Sequence, residues 1–247
     1  MDRLIYVAMT GAKHVMTRQE NVAHNLANVD TPGFRAQMSA FRSAPVVGEG
    51  LATRAFAVDS TTGSDFTPGP IRQTGRSLDI AVQGNGWIAV QGANGNEAYT
   101  RDGSLQMDAE GVLLTRSGQK VLSDSGPITI PPDQTITVAD DGTVSATPSG
   151  QGANTANVVG RIKLVNPAEQ QLSRGDDGLF RTSDGSTASI DEGVRIASGA
   201  LEGSNVSSVD AMVDMISLAR QFEMQMKMLQ TAEANAREAT QLLSVGS

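Results

Sequence analysis

Cysteine is absent from all 247 residues, so neither a disulfide framework nor a thiolate metal site can be built from this chain. Aromatic residues make up only 4%, with a single tryptophan, which leaves few large side chains for one compact core and fits an extended or assembly-dependent shape. Basic residues are also short: 19 Lys and Arg stand against 27 Asp and Glu, a formal charge of -8. Most of the excess lies in residues 31–204, with 13 bases against 19 acids, whereas residues 1–30 are balanced. Without clustered Lys or Arg to displace counterions, there is no electrostatic footprint for nucleic acid or for an anionic membrane face. No apolar run approaches the ~20 residues needed to span a bilayer. The N-terminus has no basic n-region, and its longest apolar run, residues 4–9, is too short for a signal-peptide core. If the protein leaves the cytoplasm, the expected route is one that reads no cleaved signal.

Glycine and proline are missing from the ends rather than from the whole. Of 26 glycines, 24 lie between residues 32 and 203, and so do all nine prolines. That contrast divides the chain into an N-terminal helix (1–30), an extended connector (31–75), a central β-domain (76–203) and a C-terminal helix (204–247).

In the first segment the apolar positions step by three and four through Met1, Ile5, Ala8, Ala12, Val15, Val22, Leu26 and Val29, with Gln19 as one polar break. The pattern is that of a helix about 40 Å long. Periodicity alone leaves open whether it packs on its own domain or on another long helix, and its length favours the second. It stops at Asp30-Thr31-Pro32-Gly33, because the residue before proline is pushed out of the helical region and Pro-Gly suits a type II turn. Phe34 then begins a new run.

The middle reads as short strands. Apolar runs such as 78–82, 87–90, 112–115, 135–138 and 161–165 are separated by Asp-Gly, Asn-Gly and Ser-Gly pairs, the punctuation of hairpins and meanders. At the C-terminal end, Ser207 and Asp210 are spaced as a capping pair. A seam then runs through Met212, Met215, Ala219, Phe222, Met226 and Leu229, with a shift of register beyond it. Eight of the ten methionines sit in the two terminal segments. Such a stripe serves either as core filling or as an adaptable contact surface.

Motifs for chemistry fail on context. Gly84-x-Gly86-x-x-Ala89 imitates a dinucleotide fingerprint, but a strand follows it where a helix N-terminus would have to meet the pyrophosphate. His14 and His24 are ten residues apart on one helix, which separates them by about 15 Å along its axis, so they cannot share a metal. The acid pairs Asp140-Asp141 and Asp176-Asp177 each precede a glycine and read as turns. No nucleophile elbow, phosphate loop or calcium loop occurs. The expectation is a non-enzymatic chain with no cofactor and no metal.

Three stretches, in this order, carry a family resemblance. Asn25-Leu-Ala-Asn28-Val-Asp-Thr-Pro-Gly-Phe34 is similar to the N-terminal signature of bacterial flagellar rod and hook proteins. Asp79-Ile-Ala-Val-Gln-Gly84-Asn-Gly-Trp87 with Tyr99-Thr-Arg-Asp-Gly-Ser104 resembles their β-domain motif, and Gly199-Ala-Leu-Glu-Gly-Ser-Asn-Val206 with the Met-rich helix resembles their C-terminal signature. Met1-Asp-Arg-Leu-Ile-Tyr6 and Ala219-Arg-Gln-Phe-Glu-Met-Gln-Met-Lys-Met228 look most like the proximal-rod members, since Phe222, Met224 and Gln225 depart from the distal-rod and hook version.

The resemblance implies a structural subunit of the basal-body rod, the drive shaft that crosses the periplasm and passes motor torque to hook and filament. It implies partners among other rod proteins, further copies of itself and the flagellar type III export apparatus. A distal-rod role is the alternative, and a cell-wall-acting enzyme or an adhesin built on the β-domain is the alternative of a different class. The fold expected is α+β: long N- and C-terminal helices forming a coiled-coil-like pair, with a central all-β domain of short strands. The expected assembly residues are Ile5, Ala8, Ala12, Val15, Val22, Asn25, Leu26, Asn28, Met212, Met215, Ala219, Phe222, Met226 and Leu229, with the seam Ile5, Ala8, Ala12, Val15, Val22 and Leu26 meeting Met215, Phe222, Met226 and Leu229. Asp30, Thr31, Pro32, Gly33 and Phe34 are expected to form the turn after the first helix.

Overall fold

A computed structural model of the chain describes residues 2–45, 55–132, 134–148 and 156–245. They divide into two compact units, one formed by residues 1–29, 36–65 and 206–247 and the other by residues 30–35 and 66–205.

The first unit holds helix α1 (Asp2–Ala27), a hairpin of two strands (Gln37–Pro45 and Ala55–Ser64) and helix α2 (Ser208–Val245). α1 ends in tightened turns, Asn28 N–H to Asn25 O at 3.1 Å and Val29 N–H to Leu26 O at 3.3 Å. The Asn28 side-chain amide donates to His24 O at 2.9 Å, satisfying a carbonyl that the helix end would leave bare. Asn25 makes a reciprocal pair with the first strand: its Nδ2 donates to Gln37 O at 2.9 Å and its Oδ1 accepts from Gln37 N–H at 2.8 Å. At the start of α2 the Ser207 hydroxyl accepts from Asp210 N–H at 3.3 Å, the N-cap that its spacing predicts.

The expected coiled-coil-like pair is corrected by the structure. Among the described residues α-helix is confined to two segments of unequal length, 26 and 38 residues, and the expected seam coincides only in part with the buried side of α2, where Met215, Ala219, Phe222 and Leu229 are half-buried. Met212 is 54% exposed and Met226 40%, whereas the residues buried on α2 are Ala211, Leu218 and Ala232. The physical reason is that α2 is apolar on several sides: Val209, Val213, Ile216, Met224 and Met228 are also exposed. A step of three and four can be drawn along more than one of its faces, and a start one residue off rotates the stripe by about 100°. On α1, Ala8, Ala12 and Val15 are buried. At one point where α1 lies against α2, Gly11 faces the Gln225 side chain so closely that an added Cβ would sit 3.0 Å from its Oε1.

The second unit is β-rich. Its largest sheet has nine strands, in the order Leu172–Arg174, Phe180–Thr182, Glu97–Thr100, Trp87–Gln91, Lys120–Ser123, Leu113–Thr115, Leu105–Met107, with Gly126–Pro127 and Leu164–Val165 pairing off this path. A three-stranded sheet (Gln134–Val138, Thr143–Pro148, Asn157–Arg161) and two short pairs complete it, Ile80–Gln83 with Arg195–Ser198 and Ile71–Gln73 with Ala200–Glu202. The main core is aliphatic, built on Ile80, Val82, Ile88, Val90, Leu105, Leu113, Val121, Ile162 and Ile196. A second cluster gathers the scarce aromatics: Trp87, Tyr99 and Phe180, with Phe66 against them. The Trp87 and Phe180 rings lie 4.6 Å apart, and Phe66 meets Trp87 edge-on at 6.0 Å. Burial pushes the Tyr99 phenol up to about 12, and its oxygen accepts from Ala188 N–H at 2.7 Å.

Candidate functional site

The second unit seats the turn that follows α1. Pro32 and Gly33 take the central positions of a turn closed by Phe34 N–H to Thr31 O at 3.3 Å. Gly33 has φ +66, and a Cβ there would lie 2.2 Å from the Arg101 carbonyl carbon. Glycine is thus required twice, once for its backbone angle and once for the closeness of another strand's end. The seated backbone is bonded on both sides, Gly33 N–H to Glu202 O at 2.8 Å and Asn205 N–H to Phe34 O at 3.3 Å.

Beneath the turn lies a buried ionic cluster. Glu202 is 1% exposed and sits on the strand Ala200–Glu202. Its Oε1 is 2.7 Å from Arg35 Nη2 and its Oε2 2.9 Å from Arg101 Nη1. The same Oε1 accepts Gly69 N–H at 2.9 Å. Arg101 also donates through Nη2 to Gly84 O at 2.7 Å, and its guanidinium lies 5.4 Å from the Trp87 ring centroid. Arg35 lies 6.0 Å from the same ring. Burial first, and Arg35 after it, push the Arg101 pKa down, against the raising influence of Glu202; an arginine so shifted remains a cation. A third arginine, Arg174, donates through Nη1 to Arg35 O at 3.0 Å and stacks 4.6 Å from the Phe34 ring.

This arrangement is suited to holding, not to turnover. The carboxylate is neutralised on both oxygens and is shielded from water, so it cannot serve as a free base. What it does is tie three remote parts of the chain, at residues 35, 101 and 202, to one another, alongside the backbone bonds that seat the turn.

Of the residues singled out from sequence, the turn Asp30 to Phe34 lies at this seat, with Phe34 buried and Asp30 and Thr31 exposed. Asn25 and Asn28 bond at the end of α1. Ala8, Ala12 and Val15 are buried on α1; Ile5, Val22 and Leu26 are half-buried, as are Met215, Ala219, Phe222 and Leu229 on α2. Met212 and Met226 lie on the outside. Sequence reasoning missed Arg35, Arg101, Arg174, Trp87 and Glu202 as a set. The available signal was a charged residue set inside each motif among glycine and apolar neighbours, as Glu202 is between Leu201 and Gly203.

The acid pairs are turn residues. Asp177 accepts from Leu179 N–H at 3.2 Å and pairs with Arg181, whose hydrogen bond holds its carboxyl below the usual range. Asp141 is held low chiefly by Thr143 N–H. Among the described residues, no group of three or more His, Asp or Glu is arranged to hold a metal, and no helix is long and apolar enough to cross a membrane.

Comparison with known proteins places each motif. Residues 5–35 match the family described as flagella basal body rod protein, residues 81–146 the flagellar hook protein FlgE/F/G D1 domain, and residues 197–242 the flagellar basal body rod FlgEFG protein C-terminal. Arg35, Arg101 and Glu202 fall one in each matched segment. The chain is 49% identical to the flagellar basal-body rod protein FlgF of Escherichia coli over 251 residues, covering 99% of this chain and 100% of that one. It is 48% identical to FlgF of Salmonella typhimurium over the same shares, and 30% identical to the rod protein FlgG of Agrobacterium fabrum over 95% of this chain and 97% of that one. The chain belongs to the flagellar rod and hook protein family, among the basal-body rod proteins of the FlgF kind.

Proposed function

We propose that this structural rod subunit of the flagellar basal body occupies the proximal rod, where it assembles with further copies of itself and with other rod proteins into the helical shaft that carries torque. The observation that carries the reading is the apolar surface left on both helices. Tyr6, Val7, Met9 and Met16 on α1 and Val209, Met212, Val213, Ile216, Met224 and Met228 on α2 are all exposed, from 42% to 69%. Helices with so much apolar surface in water gain roughly 25 cal/mol for each Å² they bury against a neighbour. A shaft resists slippage only if each subunit buries such stripes on several neighbours.

Export through the flagellar type III apparatus and passage of the shaft across the periplasm belong to the same reading, as does the absence of catalysis. Asp177 supports the last point, since a carboxylate kept ionised by Arg181 does not suit a general acid. The test is Ile216→Asp, at a position 57% exposed. The isolated protein should keep its unfolding free energy within about 0.5 kcal/mol, while a strain carrying the variant loses motility and rod assembly. Normal motility with this variant would refute the assembly role of that face.

A further inference from the structure

Sulfur in this chain is carried by methionine alone, since there is no cysteine. Among the described methionines Met215 is half-buried and all the others are exposed. On α1, Met9 and Met16 are 54% and 53% exposed; on α2, Met212 is 54%, Met224 62%, Met226 40% and Met228 42% exposed. Successive helical residues are turned by about 100°, so Met224 and Met228 lie about 40° apart and Met226 about 160° from both. The thioethers thus stand on opposite sides of one stretch of α2, and a neighbour docking on either side meets at least one of them. Leucine would bury a similar apolar area there. A thioether adds a polarizable sulfur that can give up an electron pair to an oxidant.

We propose that Met212, Met224, Met226 and Met228 form an oxidation site for peroxides, and that their sulfoxides bar a subunit from assembly. The proposal rests on the reading of these helix faces as assembly surfaces. In the reaction a sulfur lone pair attacks one oxygen of hydrogen peroxide: the S–O bond forms, the O–O bond breaks, sulfur loses two electrons and the peroxide is reduced to water. The product carries a polar oxygen on what was an apolar side chain. At an exposed position that oxygen stays hydrated, so the free subunit keeps its fold. Against an apolar neighbour it loses its water and finds no donor, which weakens docking. Methionine sulfoxide reductases reverse the step, which makes the block on free subunits a reversible one.

The test uses the full-length chain in a host that lacks methionine sulfoxide reductases and makes a second rod protein only on induction, so that subunits accumulate unassembled. A pulse of hydrogen peroxide is quenched with catalase, the second protein is induced, and sulfoxide is measured by peptide mass spectrometry in isolated basal bodies and in the unassembled pool. Met107, 41% exposed on the strand Leu105–Met107 and off both helices, is the internal reference. The expected result is that sulfoxide at the four α2 methionines is depleted about tenfold or more in basal bodies relative to the pool, while sulfoxide at Met107 is carried in undiminished. Because oxidation precedes assembly, shielding in the finished rod cannot produce that depletion. Equal sulfoxide fractions in the two pools, or an equal depletion at Met107, would overturn the proposal. If Ile216→Asp abolishes rods while α2 sulfoxides enter undiminished, the proposal fails and the reading of the face stands; normal assembly of Ile216→Asp refutes the face itself.

Discussion

Glu202 satisfies two guanidinium groups with one carboxylate, so its removal should hurt more than the loss of one surface ion pair. Glu202→Gln leaves Arg35 and Arg101 buried and uncompensated, for which about 3–5 kcal/mol of destabilisation is expected in a denaturant-unfolding measurement. Gly33→Val should cost at least about 2 kcal/mol, because it combines a positive φ with a Cβ 2.2 Å from the Arg101 carbonyl carbon. A small loss in the same assay would mean that the seat gives way to the turn. Asp102 makes a prediction in pH. Burial raises its carboxyl above the usual value, against the Ser104 N–H that it accepts at 3.0 Å. A raised acid binds its proton more readily folded than unfolded, so its charge lowers stability at neutral pH and stops doing so once it is protonated. Asp102→Asn, which keeps an acceptor oxygen, should therefore melt higher than the parent at pH 7, and the gain should shrink as pH falls through the raised pKa toward about 4. At this scale the turn was legible, since Pro32-Gly33 dictates its own geometry from two adjacent residues. The cluster beneath it was not, because nothing local says that Arg35, Arg101 and Glu202, up to 167 positions apart, share one buried site.

Elements show the same division between local and remote causes. The end of α1 near Asp30, the N-cap of α2 at Ser207 and the run of short strands with glycine turns all follow from neighbours in sequence, and the structure has them. The inner face of α2 does not follow from its neighbours. With Val209, Met212, Val213 and Ile216 apolar and exposed beside buried Ala211 and Leu218, no periodicity picks out one side, and the stripe drawn through Met212, Met215, Ala219, Phe222, Met226 and Leu229 runs over both half-buried and exposed positions. Aromatic scarcity also had a use that composition did not reveal, because Phe66, Trp87, Tyr99 and Phe180 are gathered into one cluster instead of being spread over the core. The hairpin Gln37–Ser64 was hidden by the glycine, serine and threonine content of its sequence, although its register runs from Gln37 opposite Ser64 to Pro45 opposite Ala55. Its attachment to α1 rests on Asn25, whose two bonds to Gln37 are reciprocal. Asn25→Ala should cost about 1–3 kcal/mol and should speed hydrogen exchange at the Gln37 amide well above that of its neighbours. An unchanged exchange rate there would show that the strand is held by other means.

For the whole molecule, the chain passes from one unit to the other at residues 29/30, 35/36, 65/66 and 205/206, so neither unit is a continuous piece of sequence. The second unit needs residues 30–35 from near the N-terminus and the strand Ala200–Glu202 from near the C-terminal helix to complete its ionic cluster. The first unit needs both terminal helices. This interleaving explains why the three matched segments are spread along almost the whole chain and yet each contributes one member of the cluster. It leaves exposed apolar residues on both helices, the surface that we propose other subunits cover. The absence of cysteine makes that claim directly measurable. In an Ile216→Cys variant, the introduced thiol is the only one in the chain, and its rate of modification by a maleimide can be compared between purified monomer and isolated basal bodies. Burial of the α2 face in the rod predicts rapid labelling in the monomer and labelling at least tenfold slower in the basal body; equal rates in the two states would contradict it.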